Sequence, residues 1–481
     1  MASIRRAIVF SSLGRYVLTL IGLISTMVIA RLLSPAEIGT FAVASSLVMI
    51  MAEFRVLGAN AYLIREKDIT DQKIRASYGL TLLVSWSMGI AIIAGSGVLA
   101  RYFEIPELQT LFIILSVSFF AAPYISIPHA LLSRDYKFGL ISNVYIASAV
   151  GQLVLTVILI YLEFSFYALA YGNLLAILIQ ATLFLYGSRS VRVYKPSFRG
   201  LKVIARVGIY TSLGHVLRKA QNTVPDIVIG KMGTTSQVGV FSRGLGFMVF
   251  LTDTIMAGIF PVAAPYLADI KNTGADIAKA YVQASALITS VIWPVLAVGS
   301  VASLPAIRLM FGDQWDAAAP IASAVAFWAI LKAPHILAPQ AFVTMNLERE
   351  IFVKEIVVFF IFLVAIIVGF KMGGIQGVAT AFVFSGFVDL VLSSFFARKY
   401  LKITLKKHLS ALFSAFMVSI LCFLAAKAVF YVWPAEQTRP ILSFFQLCVV
   451  MPTVWIAGLY LFRNPLRFEV TRIFKSTQGL R

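Results

Sequence analysis

Residues 8–41 read IVFSSLGRYVLTLIGLISTMVIARLLSPAEIGTF, and residues 208–241 read GIYTSLGHVLRKAQNTVPDIVIGKMGTTSQVGVF. At an offset of 200, Ser12-Leu13-Gly14-Arg15 meets Ser212-Leu213-Gly214-His215, and Arg31…Gly39-Thr40-Phe41 meets Lys231…Gly239-Val240-Phe241. The match runs on without a gap to Glu53/Asp253 and Gly58/Gly258, with eight identities between 8–60 and 208–260. A later stretch repeats at an offset of 209, pairing Ala170 with Ala379 and Arg189 with Arg398. Charges and glycines coincide, so the chain reads as two copies of one unit. Each copy opens on an apolar run of bilayer length.

The composition agrees. Of 481 residues, 60% are hydrophobic and 13% charged, where a soluble protein carries about 25% charged. Mean hydropathy is +0.89. A soluble surface cannot be made from this, so the chain is all-α and integral to the membrane. The net charge of +20 is then read as cytoplasmic basic loops rather than as a nucleic-acid surface. Cys422 and Cys448 both fall in apolar segments and imply neither a disulfide framework nor a metal site. The basic-then-apolar N-terminus shows no convincing cleavage site and reads as a retained first helix.

Breaking the chain at polar and Pro/Gly punctuation gives fourteen expected spans: 8–30, 38–64, 77–99, 108–133, 139–161, 164–187, 203–231, 238–267, 281–304, 317–345, 351–371, 374–397, 410–432 and 441–462. Alternate connections hold the basic residues. Examples are Arg65, Lys67, Lys73 and Arg75, then Arg189, Arg192, Lys195, Arg199 and Lys202, then Arg398, Lys399, Lys402, Lys406 and Lys407. Both termini are therefore expected in the cytoplasm. The offsets make the repeat six helices long and parallel. The expected domains are 1–190, a first six-helix lobe; 191–400, a second; and 401–481, two extra helices with a basic cytoplasmic tail. Parallel repeats of this kind are a transporter plan, with a substrate cavity expected between the halves.

Ionisable groups inside spans are costly and mark cavities or partners. Ser12, Arg15, Thr19, Gly22 and Thr26 line one face of the first span. Thr211, His215, Arg218, Lys219, Asn222 and Asp226 line one face of the seventh. Glu53 and Arg55 lie in the second span, Arg243 and Asp253 in the eighth, and Lys332 with His335 in the tenth. Repeat symmetry suggests the pairs Arg15–Glu53 and His215–Asp253, with Glu53, His215 and Asp253 open to a pairing or coupling role. That leaves Arg55, Arg218, Lys219 and Lys332 in cationic surplus. Such a surplus attracts an anion, and arginine suits phosphate through its forked donors. Asp226 and Asp389 read as helix-end residues. Prolines Pro123, Pro128, Pro261, Pro265, Pro294, Pro334 and Pro339 fall in or near spans, where bent helices are tolerated beside cavities. No phosphate-binding loop, dinucleotide fingerprint or metal-ligand spacing occurs, so no cofactor is expected.

Four stretches carry a resemblance. Ala30-Arg31-Leu32-Leu33-Ser34-Pro35-Ala36-Glu37-Ile38-Gly39-Thr40-Phe41 resembles the signature of bacterial polysaccharide-biosynthesis flippases. So do Leu57-Gly58-Ala59-Asn60-Ala61-Tyr62-Leu63-Ile64-Arg65, Leu131-Leu132-Ser133-Arg134-Asp135-Tyr136-Lys137-Phe138 and Phe311-Gly312-Asp313-Gln314-Trp315-Asp316-Ala317-Ala318. This family lies in the multidrug/oligosaccharidyl-lipid/polysaccharide exporter superfamily. The resemblance covers most of 8–400. It implies alternating access by two six-helix lobes in the bacterial inner membrane. It also implies transfer of an undecaprenyl-diphosphate-linked oligosaccharide from the cytoplasmic to the periplasmic leaflet, beside polysaccharide polymerase and export partners. The ligand roles of Arg15, Arg55, Arg218, Lys219 and Lys332 rest on depth and charge, not on a family motif. The competing expectations are a peptidoglycan-precursor or drug exporter of the same superfamily, and a membrane polymerase or ligase. A cation-drug exporter would favour carboxylates, and a polymerase would place its catalytic groups in a long exported loop, which is absent.

Overall fold

The computed structural model describes residues 2–54, 59–66, 68–186, 195–201, 204, 209–433 and 440–478. Among them every regular element is a helix. In chain order these are α1 (Ala2–Leu32), α2 (Pro35–Phe54), α3 (Ala59–Arg65), α4 (Asp71–Phe103), α5 (Leu108–Arg134), α6 (Phe138–Tyr161), α7 (Tyr167–Tyr186) and α8 (Ile209–Met232). There follow α9 (Thr235–Asn272), α10 (Ile277–Val301), α11 (Ser303–Phe311), α12 (Ala318–Lys332), α13 (Ala338–Thr344), α14 (Glu348–Leu401), α15 (Leu405–Val432), α16 (Pro440–Leu461) and α17 (Leu466–Gln478). Among the described residues twelve helical segments are long and apolar enough to cross a membrane.

One of the twelve, α14, is a hairpin. Residues 354 and 389 would stand about 52 Å apart on a straight helix, yet Lys354 Nζ lies 2.8 Å from Asp389 Oδ1. The reversal falls at Gly373 and Gly374, the latter at φ 57°, a conformation that only glycine adopts without penalty. The two legs match the expected spans 351–371 and 374–397. The expected seventh span is α8, whose 24 residues give a length of about 36 Å but whose polar face keeps it outside the apolar set.

Prolines explain two breaks and their repair. The expected span 317–345 is divided into α12, a 3₁₀ turn over Ala333–His335 and α13, because Pro334 and Pro339 cannot donate to the helix ladder. Pro334 leaves the Ile330 carbonyl without its helical donor, and Trp293 Nε1 donates to that oxygen at 2.8 Å. Pro294 does the same to Ser290, whose carbonyl accepts from Trp455 Nε1 at 2.9 Å. An unpaired carbonyl in hydrocarbon costs several kcal/mol, so each tryptophan closes a gap that its proline opens.

The helices group into two compact units, Met1–Gly239 and Val240–Arg481. In the first, α4 packs along α5, α5 along α7, α6 along α7 and α1, and α2 along α8. In the second, α12 packs on α14, α10 on α12 and α15, and α15 on α16. Sequence equivalence sets α8 at the head of the second repeat; its packing partner is α2 of the first. The stretch 466–478, read as part of a basic tail, is the helix α17. Its Leu466 and Val470 pack against Val418, Cys422 and Leu459.

The repeated sequence becomes a repeated turn. Before α2, Ser34 N donates to Glu37 Oε2 at 2.8 Å and Glu37 N to Ser34 Oγ at 3.4 Å. Before α9, Thr234 N donates to Gln237 Oε1 at 3.1 Å and Gln237 N to Thr234 Oγ1 at 3.2 Å. Both are capping boxes. The two turns then cross. A Cβ on Gly39 would stand 1.7 Å from the Thr235 carbonyl oxygen, and a Cβ on Gly239 would stand 2.0 Å from that of Pro35. Since 35 and 235, like 39 and 239, are repeat equivalents, the contact is reciprocal. The Arg-Leu-Leu-Ser-Pro…Gly signature is thus a packing device: it caps a helix and lets two backbones touch.

Candidate functional site

The first unit places its intramembrane charges on α1, α2 and α8. On α1, Arg15 is exposed, and Thr19 and Thr26 turn their hydroxyls back onto the carbonyls of Arg15 and Gly22 at 3.0 and 2.8 Å. Both hydroxyls are thereby satisfied within their own helix. On α8, His215 is exposed while Arg218, Lys219 and Asn222 are half-buried. Asn222 keeps its Oδ1 buried with no hydrogen-bond partner among the described residues. The stripe closes at Asp226, which is buried and accepts from Ser46 Oγ on α2 at 2.8 Å. Asp226 is therefore not a helix-end residue; it docks α8 on α2.

The partner suggested for His215 is corrected. His215 Nδ1 lies 3.5 Å from Glu53 Oε2, with the two side chains 64% and 25% exposed. Glu53 and His215 meet because α2 and α8 pack on each other, so the histidine's carboxylate partner comes from the first repeat. Arg55 lies outside the described residues. Asp253, on α9, is exposed. In the same second unit, Arg243 stacks over the rings of Phe311 and Trp315 at 5.6 and 5.4 Å. That gives part of the Phe311–Ala318 signature a packing role, reinforced where Arg308 Nε donates to Asp316 Oδ1 at 2.7 Å.

Lys332 is not a surplus cation. Its Nζ sits 3.8 Å from Asp389 Oδ2 and 4.5 Å from the centre of the Trp328 ring. Asp389 lies 12 residues before the end of α14, not at a helix terminus, and is buried. It also binds Lys354, whose Nζ stands 3.1 Å from Glu355 Oε1 and 3.4 Å from Ser393 Oγ. Lys354, Glu355 and Asp389 are each at most 7% exposed. Two ammonium groups face two carboxylates, which is how charge is tolerated inside a membrane protein. Next to it, His335 bridges Tyr281 Oη at 3.0 Å and Ser394 Oγ at 2.9 Å. Sequence reading passed over Lys354 and Glu355. The available signal was a lysine–glutamate pair in one hairpin leg and an aspartate in the other.

Among the described residues no group of His, Cys, Asp and Glu has the spacing to hold a metal ion. What the first unit offers is a cationic, partly open polar face; what the second offers is a closed, balanced network.

A family model described as polysaccharide biosynthesis protein matches residues 28–320. The chain belongs to that family. Among curated proteins it is similar to the lipopolysaccharide biosynthesis protein WzxC of Escherichia coli K12, at 19% identity over 98% of this chain and 96% of that one. It is also similar to the teichuronic acid biosynthesis protein TuaB of Bacillus subtilis 168, at 22% identity over 76% of each chain. The succinoglycan biosynthesis transport protein ExoT of Rhizobium meliloti 1021 matches at 22% identity over 62% of this chain and 60% of that one. Among solved structures, the lipid II flippase MurJ in an inward closed conformation superposes with a TM-score of 0.76 at 14% identity, over 96% of this chain and all of that one. An inward-facing multidrug-resistance transporter of the MATE family superposes at 0.59 and 16% identity, over 80% and 94%. The chain is a multi-pass membrane protein with the fold of that superfamily, and the proteins it resembles are transporters and biosynthesis proteins.

Proposed function

We propose that this protein is a flippase for a polyprenyl-diphosphate-linked oligosaccharide. It moves the head group from the cytoplasmic to the periplasmic leaflet of a bacterial inner membrane, for exopolysaccharide, capsule or O-antigen assembly. It crosses the membrane fourteen times with both termini inside, works by alternating access of its two repeats, and does no covalent chemistry. The observation that carries this reading is the face of α8. Arg218 and Lys219 stand near the middle of the helix, half-buried, too deep to reach the interface easily. A diphosphate is the anion that such a face fits, and the arginine fork can hold two of its oxygens. Arg15 and Arg55 are assigned to the same role. Lys332 is withdrawn from it, because Asp389 takes its charge. Glu53 and His215, in contact, are assigned to coupling, with Asp253 as the repeat counterpart of Glu53. The polyprenyl tail stays in lipid.

The test is the double variant Arg218→Ala/Lys219→Ala in a strain that lacks the chromosomal copy. Polymer export is expected to be lost at unchanged abundance of the protein in the membrane. Normal export at normal abundance would remove both residues from the site. The fold match to a lipid II flippase favours a second cargo of the same chemistry, a lipid-linked peptidoglycan precursor. Loss of that activity would stop growth under all conditions, whereas loss of an exopolysaccharide flippase would not.

A further inference from the structure

We infer that the second unit carries a binding site for the phosphate head group of a lipid, on the face that the charge distribution assigns to the cytoplasm. A cavity of about 820 Å³ opens there. Four lysines line it, and each comes from a different segment: Lys271 at the end of α9, Lys279 in the first turn of α10, Lys402 in the link after α14, and Lys407 at the start of α15. The one carboxylate in its lining, Asp276, is spent. Its Oδ1 accepts from the backbone N–H groups of Ala278 and Lys279 at 2.9 and 3.2 Å, capping α10. Lys271 also donates to the Thr344 carbonyl.

The second observation is Lys402. It stands at φ 55°, ψ 29°, in the left-handed region, where its backbone N–H bonds the Ala397 carbonyl to finish α14. Glycine is the usual residue there, and a side chain in this conformation costs roughly 1 kcal/mol. Strain kept at such a position is a pointer to function; here the strained residue is one of the four lining lysines. Ile277, Val282, Leu401 and Ile403 supply apolar parts of the lining, so a ligand with a charged head and an apolar root fits both. Basic pockets between membrane helices on the cytoplasmic side bind anionic lipid heads. The site shares no residue with the α8 face, and its test does not depend on transport.

The experiment is equilibrium binding to the purified full chain in neutral detergent, with four probes: short-chain phosphatidylglycerol, undecaprenyl diphosphate, phosphatidylcholine and inorganic phosphate. Phosphatidylglycerol, undecaprenyl diphosphate or both should bind, and phosphatidylcholine should not. A preference for the glycerolipid identifies a structural or regulatory lipid; a preference for the polyprenyl diphosphate identifies a landing site for cargo. Lys279→Gln/Lys407→Gln should weaken binding about 25-fold, at about fivefold per lysine. Lys402→Gly separates binding from folding, since it should weaken binding about fivefold while raising the thermal midpoint. Equal binding of phosphatidylcholine, full competition by inorganic phosphate at the same concentration, or unchanged binding by these variants would overturn the inference.

Discussion

The two units treat their clusters of intramembrane cations in opposite ways. In the second, Lys332, Lys354, Glu355 and Asp389 face one another around two legs of a hairpin and the helix packed against it, largely shielded. In the first, Arg15, His215, Arg218 and Lys219 lie on exposed or half-buried faces. The network is enclosed within the fold; the α8 face is more exposed and is the one proposed for the ligand. The same residue types therefore mean different things according to how deeply the fold encloses them.

The sharpest way to break this comparison is Asp389→Ala. It leaves Lys354 and Lys332 facing each other without their shared carboxylate, and should cost about 3–5 kcal/mol, seen as lost protein in the membrane and a collapsed thermal midpoint in detergent. Undiminished stability would mean that the network is no more structural than the α8 face. Gly39→Val should come next, because its Cβ meets a carbonyl at 1.7 Å. An overpacking cost of about 1–3 kcal/mol is expected, with a matching loss for Gly239→Val; a large loss at only one position would deny that the two turns are equivalent. Lys332→Met should cost less than Asp389→Ala, since Asp389 keeps Lys354, and export should persist. Export lost at normal abundance would return Lys332 to the cargo site.

The smallest effect is expected at Glu104. Lys231 Nζ bonds it at 2.9 Å, and that hydrogen bond holds its carboxyl below the usual 4.5. Because the folded value is depressed, the pair contributes stability above the unfolded pKa, and loses it as pH falls through the lower folded one. A Glu104→Gln variant should therefore melt slightly below the parent at neutral pH, and the gap should close in acid below about 4.5. A gap that widens in acid would contradict the assignment.

Much of the fold is legible in the sequence because membrane spans are set by one-dimensional rules. Apolar length, glycine and proline punctuation and basic connections mark α4 to α7, α15 and α16 to within a few residues, and Gly373-Gly374 marks the hairpin. The stretch Arg31–Phe41 carries a resemblance, and its Ser34–Gly39 portion serves to cap α2 and to pack closely. Partners are less legible. Symmetry offered Asp253 for His215, but α2 packs on α8, so His215 meets Glu53. Depth from a span edge made Lys332 look open and Asp389 look terminal. Only the folded hairpin brings residues 354 and 389 together. Span edges also hid the 3₁₀ turn at Ala333–His335 and the helical order of Leu466–Gln478.

The central claim is that this chain moves a complete lipid-linked oligosaccharide across the membrane. It is tested most directly by the lipid-linked glycan pool of a deletion strain. Extracted lipids are read by mass spectrometry, and their leaflet by accessibility to an enzyme confined to the periplasm. The account predicts complete repeat units accumulated on the cytoplasmic leaflet, with their mass naming the glycan. Complete units on the periplasmic leaflet without polymer would place the lesion after translocation and contradict the claim.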